Sequence, residues 1–401
     1  GLLRQNAPHL VHDLSFIIPC YRWWERPYYG LGLKLYQWLA GKLGFGPTQI
    51  LGREKTLHRL PGVQTERLRG GVVYSDGQFD DARLLVNLMS TALEAGAVVL
   101  NYVRAVKLQH DAAGKVTSVV VEDQETGAQT TLHARAVVNA TGPFCDEVRH
   151  LDDPAAPPLL ARSQGAHIVL DRSFLPANCA LMVPKTSDGR VLFAIPWHAH
   201  TLIGTTDVPI TGAPLEPVPL EEEIEFILAT AGQYLARKPT RADILAQFAG
   251  IRPLVKAGNA KNTSQLSRDH TIHFDPSGMV TITGGKWTTY RNMAEDCVNR
   301  VIAHHQLEAK GPCVTKELKI HGHEPDAARF GALAVYGSDA QKIQQLGREH
   351  SQWISPLHSE LPYCAAEIVW VTRHENARTV EDVLARRTRA LFLNARAALA
   401  M

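Results

Sequence analysis

The stretch RAVVNATGPFCDEVR, residues 135–149, combines an apolar run, a glycine break and an amphipathic segment. The apolar residues at 136–138 are typical of a buried strand. Gly142 and Pro143 follow directly, and both residue types mark turns. The stretch therefore predicts a buried strand that ends at a small residue and a glycine and then runs into a helix.

Upstream of this strand, residues 80–96, DDARLLVNLMSTALEAG, predict a helix that begins at paired aspartates and ends at Gly96. One face of that helix carries Leu85, Leu88, Ala92 and Ala95. Short β runs follow at 97–101, 104–109, 115–123 and 130–134, separated by the turns HDAAGK and QETGAQ. A helix, a small meander and a strand that ends in glycine are the order expected in the second half of a dinucleotide-binding domain.

The composition is that of a folded chain of two or three domains: 401 residues, 45% hydrophobic and 20% charged. A net charge of +2 gives no electrostatic reason to expect nucleic acid. The six cysteines lie far apart without a C-x-x-C pair, which argues against a zinc ribbon or a disulfide framework and fits a reducing cytoplasm. No histidine spacing typical of a metal site occurs, and no apolar run is long enough to span a membrane.

A second glycine turn lies in TITGGKWTTYRNMAEDC, residues 281–297, where an apolar strand meets two glycines, a lysine and a helix. Free N–H groups and the dipole of a helix N-terminus favour negative charge, so an anionic ligand is one interpretation. An ordinary strand-to-helix turn is the other, because a glycine pair suits any tight turn.

Residues 22–46, RWWERPYYGLGLKLYQWLAGKLGFG, mix aromatic, aliphatic and basic side chains. Leu31, Leu35, Trp38 and Leu39 share helical spacing, and Lys34 and Lys42 form a polar edge. One interpretation is a core-facing helix in a cap region. The other is a surface that touches a membrane, because Trp, Tyr and Lys suit the headgroup zone.

A proline-rich break, LDDPAAPPLL, separates the predicted dinucleotide-binding half from a β-rich region with one clear helix at residues 220–236. Strand signals fade after about residue 310, where helices are predicted, with Pro362 near the start of one and Thr379 as the N-cap of the next. We assign 1–60 to a cap, 61–155 and 284–310 to the nucleotide-binding domain, 156–283 to the β-rich substrate domain and 311–401 to a helical domain.

Nine motifs in order resemble the FAD-dependent glycerol-3-phosphate dehydrogenases over nearly the whole chain: VYSDGQFDDARL, VVNATGPFCDEV, GAHIVL, MVPKTSDGRVLFAIPW, TLIGTTD, AGIRPLV, SRDHTI, GGKWTTYR and VEDVLARRTRALFLNARAA. The resemblance implies an α/β fold, α+β overall. It has an FAD-binding domain of the glutathione-reductase kind, an inserted β-rich substrate domain and a C-terminal all-helical domain. It also implies oxidation of sn-glycerol 3-phosphate to dihydroxyacetone phosphate, with electrons passed to a membrane quinone, or to oxygen in the oxidase branch.

One departure from the family is that no G-x-G-x-x-G occurs; GLGLKL and GKLGFG fail its spacing. The expectation is that the N-terminal βαβ unit, whose N–H groups hold the FAD pyrophosphate, is absent, together with a loop that gives the family a substrate arginine. The sequence is then either a fragment or a natural form that lacks the unit.

The resemblance assigns the flavin ring to the second glycine turn. Gly284 and Gly285 would let the backbone approach it, Thr288 and Thr289 would donate hydrogen bonds, and Lys286 would place charge near flavin and substrate. Thr141 and Gly142 match a second backbone contact to FAD, and Ala105 is a candidate for the adenine side. For each turn, strand-to-helix geometry alone is the alternative.

Arg252 of GIRPL and Arg268 of SRDH occupy the family's phosphate-binding positions, with a structural salt bridge as the alternative for each. His167 of GAHIVL matches an active-site histidine and would be the base that takes the hydroxyl proton; a structural histidine is the alternative. Asp76 and Asp207 are expected to hold loops by local hydrogen bonds.

Three functions remain open from the sequence: the dehydrogenase, a non-catalytic truncated form that keeps the phosphate pocket without FAD, and an amine or amino-acid oxidase on the same fold. The resemblance implies a peripheral position on the inner face of the cytoplasmic membrane, no nucleic acid, and a homodimer as one open oligomeric state.

Overall fold

A computed structural model describes residues 1–40, 46–256 and 269–401. The helices are α1 (Leu2–Asn6), α2 (Glu25–Ala40), α3 (Arg53–Arg59), α4 (Asp81–Glu94), α5 (Cys145–Asp152), α6 (Glu221–Tyr234), α7 (Tyr290–His304), α8 (Ala340–Glu349), α9 (Ala365–His374), α10 (Ala390–Leu393) and α11 (Ala395–Leu399). The strands are β1 (Val11–Cys20), β2 (Gln49–Gly52), β3 (Gly70–Phe79), β4 (Val103–His110), β5 (Val116–Asp123), β6 (Gln129–His133), β7 (Val138–Asn139), β8 (Leu160–Asp171), β9 (Cys179–Val183), β10 (Leu192–Trp197), β11 (His200–Gly204), β12 (Val208–Pro209), β13 (Ile244–Val255), β14 (His270–Phe274), β15 (Val280–Gly284), β16 (Pro356–His358) and β17 (Leu361–Cys364).

The largest sheet of the described chain has the order β12-β8-β11-β10-β9-β1-β3-β2, and β13 pairs with β8. The apolar side of α6, with Ile224 and Ile227 fully buried, packs against it and forms the main core. The sheet therefore includes β1, β2 and β3, which the sequence placed in the cap and nucleotide-binding regions. The difference arises because β1 pairs with β9 across more than 150 residues, and no local pattern reports such a pairing.

The region that the sequence assigns to nucleotide binding contains two small sheets. The predicted meander is confirmed as β4, β5 and β6. The predicted run at 97–101 is wrong: the segment forms no strand with any described residue, and Val98 and Leu100 remain exposed. In the other sheet β15 is the central strand: β7 pairs with it in parallel and β14 pairs with it antiparallel. The strand predicted from RAVVNATG is confirmed only at Val138–Asn139, with α5 following its glycine turn. The prediction that it is buried is wrong, because Val138 is 43% exposed.

Helix α4 is confirmed within its predicted bounds, with Asp80 as the N-cap that accepts from the N–H of Arg83. Its predicted apolar face is not the buried one, because Leu85 is 60% exposed whereas Arg83 and Asn87 are buried. Arg83 pairs with Glu375, and Asn87 hydrogen-bonds His9 at 2.7 Å. The buried face also carries Leu84, which is fully buried, so apolar packing and polar partners on other elements together set the orientation of the helix.

The C-terminal region packs α8 and α9 around a core that includes Tyr336 and Trp370. Thr379 caps the following turn as predicted, since its hydroxyl accepts from the N–H of Asp382 at 3.1 Å. A small hairpin of β16 and β17 interrupts the helices, and Pro362 lies in β17 just before α9. The region is therefore mainly, not entirely, helical.

Helix α2 contradicts its core-facing interpretation. Leu31, Leu35, Trp38 and Leu39 are all exposed, and Trp38 keeps 76% of its surface. The opposite side packs on the large sheet, where a Cβ added to Gly30 would lie 2.6 Å from Cδ1 of Ile50. Across the described residues, no helix combines the length and apolar character that a membrane span requires.

Candidate functional site

On one face of the large sheet, Gly165 and Gly250 form a bare backbone floor between His167 and Arg252, and we call this place the hollow. Gly165 and His167 of β8 share this face because side chains alternate along a strand. On β13, Phe248 lies opposite His167 and Gly250 lies opposite Gly165, with Arg252 next on the same face. A Cβ added to Gly250 would meet no described atom within 4 Å. Open space therefore lies over Gly250, whereas the guanidinium of Arg252 lies over Gly165.

The loop after β11 fixes the guanidinium of Arg252. Its Nη1 donates to the carbonyl oxygen of Thr206 at 3.1 Å and to Oδ1 of Asp207 at 3.3 Å, and its Nη2 donates to Oγ1 of Thr205 at 3.0 Å. Gly165 leaves room for this group, because a Cβ there would lie 2.4 Å from Nη2. The side chain is 37% exposed, so an anchored cation faces the hollow and its solvent.

His167 lies between bare backbone and an aromatic ring. Gly204 is its partner on β11, and a Cβ at that glycine would lie 2.2 Å from Cδ2 of the imidazole. The ring of Phe248 stacks on His167 with centroids 5.3 Å apart and planes at 16°. Burial, and then the charge of Arg252, lowers the pKa of His167 from 6.5 to about 4. The imidazole is therefore neutral at pH 7, the form that can accept a proton.

The glycine pair after β15 is required by its own packing. Gly284 and Gly285 have φ of +77° and +74°, a region that favours glycine. A Cβ on Gly284 would lie 2.8 Å from Cγ2 of Val255, and one on Gly285 would lie 2.6 Å from Sδ of Met293. The turn is thereby held against the end of β13, on the same strand as Arg252.

Lys286 precedes a 3₁₀ turn, Trp287–Thr289, that leads into α7. Lys286 and Thr288 are exposed. The N–H and the hydroxyl of Thr289 both donate to the carbonyl oxygen of Lys286, each at 2.9 Å. These two donors therefore close the turn, and the contacts predicted from Lys286, Thr288 and Thr289 to the flavin stay predictions.

The Thr141–Gly142 turn lies at the same sheet edge as the glycine pair. Val138 pairs with Val280 and Asn139 with Thr281 in parallel register, so β7 and β15 point toward the same edge. Gly142 has φ of +57°, and a Cβ there would meet no described atom within 4 Å. A dinucleotide cofactor that crosses the carboxyl edge of parallel strands fits this open backbone.

Two predicted site residues are not brought to this edge by any described contact. Ala105 lies in β4 opposite Val121, so its adenine contact stays a prediction. Arg268 lies outside the described residues, and its phosphate-binding role stays a prediction too.

The sequence assigned only a loop-holding role to Asp207 and none to the glycines of the floor. Asp207 also pairs with Arg252, so it orients the predicted phosphate-binding group. The missed signal is the alternation G-x-H in β8 and F-x-G-x-R in β13, which places each set on one face. Asp76, as expected, accepts from the neighbouring N–H of Gly77 at 2.8 Å.

Two family models match the chain. Residues 1–291 match the model described as FAD dependent oxidoreductase, and residues 279–401 match the C-terminal domain of alpha-glycerophosphate oxidase.

Proteins similar to this chain include mitochondrial glycerol-3-phosphate dehydrogenases. A probable one from Caenorhabditis elegans is 39% identical over 99% of this chain and 58% of that protein. The Arabidopsis thaliana protein is 38% identical over 99% of this chain and 68% of its own length. A crystal structure of the glycerol-3-phosphate dehydrogenase from Bacillus halodurans, complexed with FAD, has a TM-score of 0.79 at 29% identity and covers 98% of this chain and 76% of its own. This chain thus spans about three fifths of the first of these relatives.

Proposed function

Because this chain belongs to the FAD-dependent oxidoreductases, and among them to the glycerol-3-phosphate dehydrogenases, we propose that it oxidises sn-glycerol 3-phosphate to dihydroxyacetone phosphate. The observation that carries the proposal is the hollow with a neutral imidazole at one end and an anchored guanidinium at the other. A three-carbon phosphate ester presents a hydroxyl and a dianion in that same order.

In the proposed reaction Arg252 binds the phosphate through its planar guanidinium, whose orientation Asp207 and Thr205 fix. His167 accepts the proton of the C2 hydroxyl as the hydride leaves C2. FAD, when bound, supplies the acceptor of that hydride. The glycine turns after β7 and β15 would hold the cofactor, and Lys286 adds positive charge beside them.

The direct test loads the purified chain with FAD and mixes it anaerobically with sn-glycerol 3-phosphate. We expect visible flavin absorbance to disappear, and the sn-glycerol 1-phosphate enantiomer to leave it unchanged. An FAD-loaded chain that is not reduced by sn-glycerol 3-phosphate contradicts the proposal.

The two alternatives predict other outcomes of the same test. A chain that cannot be loaded with FAD, yet binds glycerol 3-phosphate, is the non-catalytic form. Flavin reduction by amino acids but not by glycerol 3-phosphate indicates an amino-acid oxidase.

We further propose that the electrons pass to a quinone and that the protein lies on the inner face of the cytoplasmic membrane. The exposed side of α2 supports this position: Tyr28, Leu31, Leu35 and Trp38 recur at helical spacing. The residues from 22 to 69 contain nine lysines and arginines and only three acidic residues, although the whole chain carries just +2. An apolar helix face within a basic region suits the surface of an anionic bilayer.

If a quinone is the electron acceptor, a soluble quinone analogue should reoxidise the flavin faster than oxygen does.

Replacing Leu31 and Trp38 together by serine is expected to weaken binding to vesicles of phosphatidylcholine and phosphatidylglycerol on the order of 100-fold. Each large side chain contributes about 1.5 kcal/mol when it is buried in the interface. Co-sedimentation measures the effect, and vesicles of phosphatidylcholine alone should bind less of the wild-type protein. Leu215→Ser with Val218→Ser is the matched control, because both side chains are exposed outside α2. Equal losses in the two double variants would contradict the assignment of the surface.

A further inference from the structure

The rings of His167, Phe248 and Phe392 lie in series and connect the large sheet to the C-terminal region. Phe248 stacks on the imidazole at 5.3 Å, and Phe392 of α10 meets Phe248 edge to face at 4.8 Å and 68°. On the large sheet, Gly204 presents bare backbone to the imidazole. We infer that Phe392 is a positioning residue for His167 and acts through the ring of Phe248. Its catalytic meaning rests on the proposed function; the contact itself does not.

An ion-pair cluster fixes the segment that carries Phe392. Arg389 adopts φ of +64°, and its carbonyl oxygen accepts from the N–H of Phe392 at 3.0 Å. Its guanidinium pairs with Asp81 and, at 3.4 Å, with Asp80 at the start of α4. His198 contacts Asp80 from the β10–β11 turn at 3.3 Å. The start of α10 is therefore tied both to α4 and to the large sheet.

Phe392 affects His167 indirectly, because it contacts Phe248 and Phe248 contacts the imidazole. Phe248 lies directly opposite His167 on β13, so its ring sets the plane in which the imidazole packs. An edge-to-face pair favours one relative orientation of its rings. Without the ring of Phe392, Phe248 loses the nearest of its described ring partners and keeps the tilted contact with Trp197 at 6.4 Å. We expect its ring then to rotate, so that the imidazole loses its parallel neighbour and gains contact with water. Because burial is the main cause of the low pKa of His167, that pKa should then rise.

The test follows the imidazole signals of the full chain labelled with ¹⁵N-histidine. His167→Gln assigns the His167 signal by its loss. In the wild type we expect this histidine to titrate near 4. In Phe392→Ala we expect its titration midpoint to move toward the ordinary value of 6.5, and in Phe392→Leu, which keeps part of the bulk, to move less. Phe330→Ala is the matched control, since Phe330 packs on the other core of the C-terminal region.

A His167 titration that stays unchanged in both Phe392 variants overturns the inference. If Phe392→Ala does not fold, as judged by circular dichroism, Phe392→Leu decides: an unchanged midpoint in that variant overturns the inference, and a raised one supports it. An equal rise in Phe330→Ala also overturns it, because the effect would then be general loosening.

Turnover in the same variants separates the inference from the proposed function. If the wild type oxidises glycerol 3-phosphate, Phe392→Ala should lower kcat about 10-fold to 100-fold with little change in KM, because His167 is misplaced while Arg252 is not. A raised midpoint together with an FAD-loaded wild type that does not react supports the positioning contact and contradicts only the proposed function.

Discussion

Arg252→Met is expected to lower kcat/KM for glycerol 3-phosphate by roughly 30-fold to 1000-fold, about 2–4 kcal/mol. The dianionic phosphate would enter a hollow that has lost its anchored cation. The carbonyl of Thr206 and the carboxylate of Asp207 would each lose one donor, while the hydroxyl of Ser163 still donates to Asp207. Steady-state rates of the FAD-loaded chain and calorimetric titration with glycerol 3-phosphate both measure this loss.

Two further variants define what Arg252 contributes. Arg252→Lys keeps the charge but not the planar fork, so it should recover only part of the affinity. Arg172→Met is the matched control: this arginine follows β8 on the same sheet and donates to Asn178 at 2.7 Å, away from the hollow. Similar losses in Arg252→Met and Arg172→Met, or an unchanged affinity in Arg252→Met, would contradict a phosphate-binding role.

The elements that the sequence predicted are those whose signals are local. The strand at 138–139, helix α4 and the cap by Thr379 follow from runs, caps and turn residues within a few positions. The position of β1 inside the large sheet does not, because β1 obtains its partners from β3 and β9, far along the chain. The exposed residues at 97–101 show the converse: a strand-like pattern forms no strand without a partner.

The sequence identified the candidate site residues, but it did not identify the residues that hold them in place. His167, Arg252 and the glycine turns were identified by resemblance, and the sheet register places the first two on one face. The contacts of Asp207 with Arg252 and of Phe392 with Phe248 join residues that are 45 and 144 positions apart. No spacing rule reports such pairs, since they depend on how whole elements dock.

The glycine pair after β15 has a packing explanation that does not depend on a ligand. Val255 and Met293 approach so closely that a Cβ on either glycine would clash. The packing of an ordinary tight turn is therefore enough to require glycine here. The same turn places Lys286 at the sheet edge shared with Gly142, where an anionic cofactor fits. Packing therefore explains why these residues are glycines, and the binding of an anionic cofactor at this edge stays a prediction.

Arg83→Met is expected to destabilise the fold by about 3–5 kcal/mol, because it leaves the carboxylate of Glu375 buried without its cation. Arg83 is 3% exposed and forms two hydrogen bonds to Glu375, at 2.6 and 2.8 Å, while its guanidinium lies 4.4 Å from the ring of Tyr336. The pair joins α4 to the end of α9. Urea unfolding followed by circular dichroism and by tryptophan fluorescence measures the free energy of unfolding.

The double variant Arg83→Met with Glu375→Leu distinguishes two contributions to the free energy of unfolding: the cost of a buried charge without its partner, and the net stabilisation by the ion pair. Removing both charges leaves neither partner of this pair buried without its counter-charge, so most of the loss should be recovered. Arg4→Met is the exposed control: its 2.8 Å pair with Asp13 has side chains 53% and 43% exposed, and its loss should cost no more than about 1 kcal/mol. If the double variant is as unstable as Arg83→Met, the guanidinium acts mainly by filling space against Tyr336, and the electrostatic account of this junction is wrong.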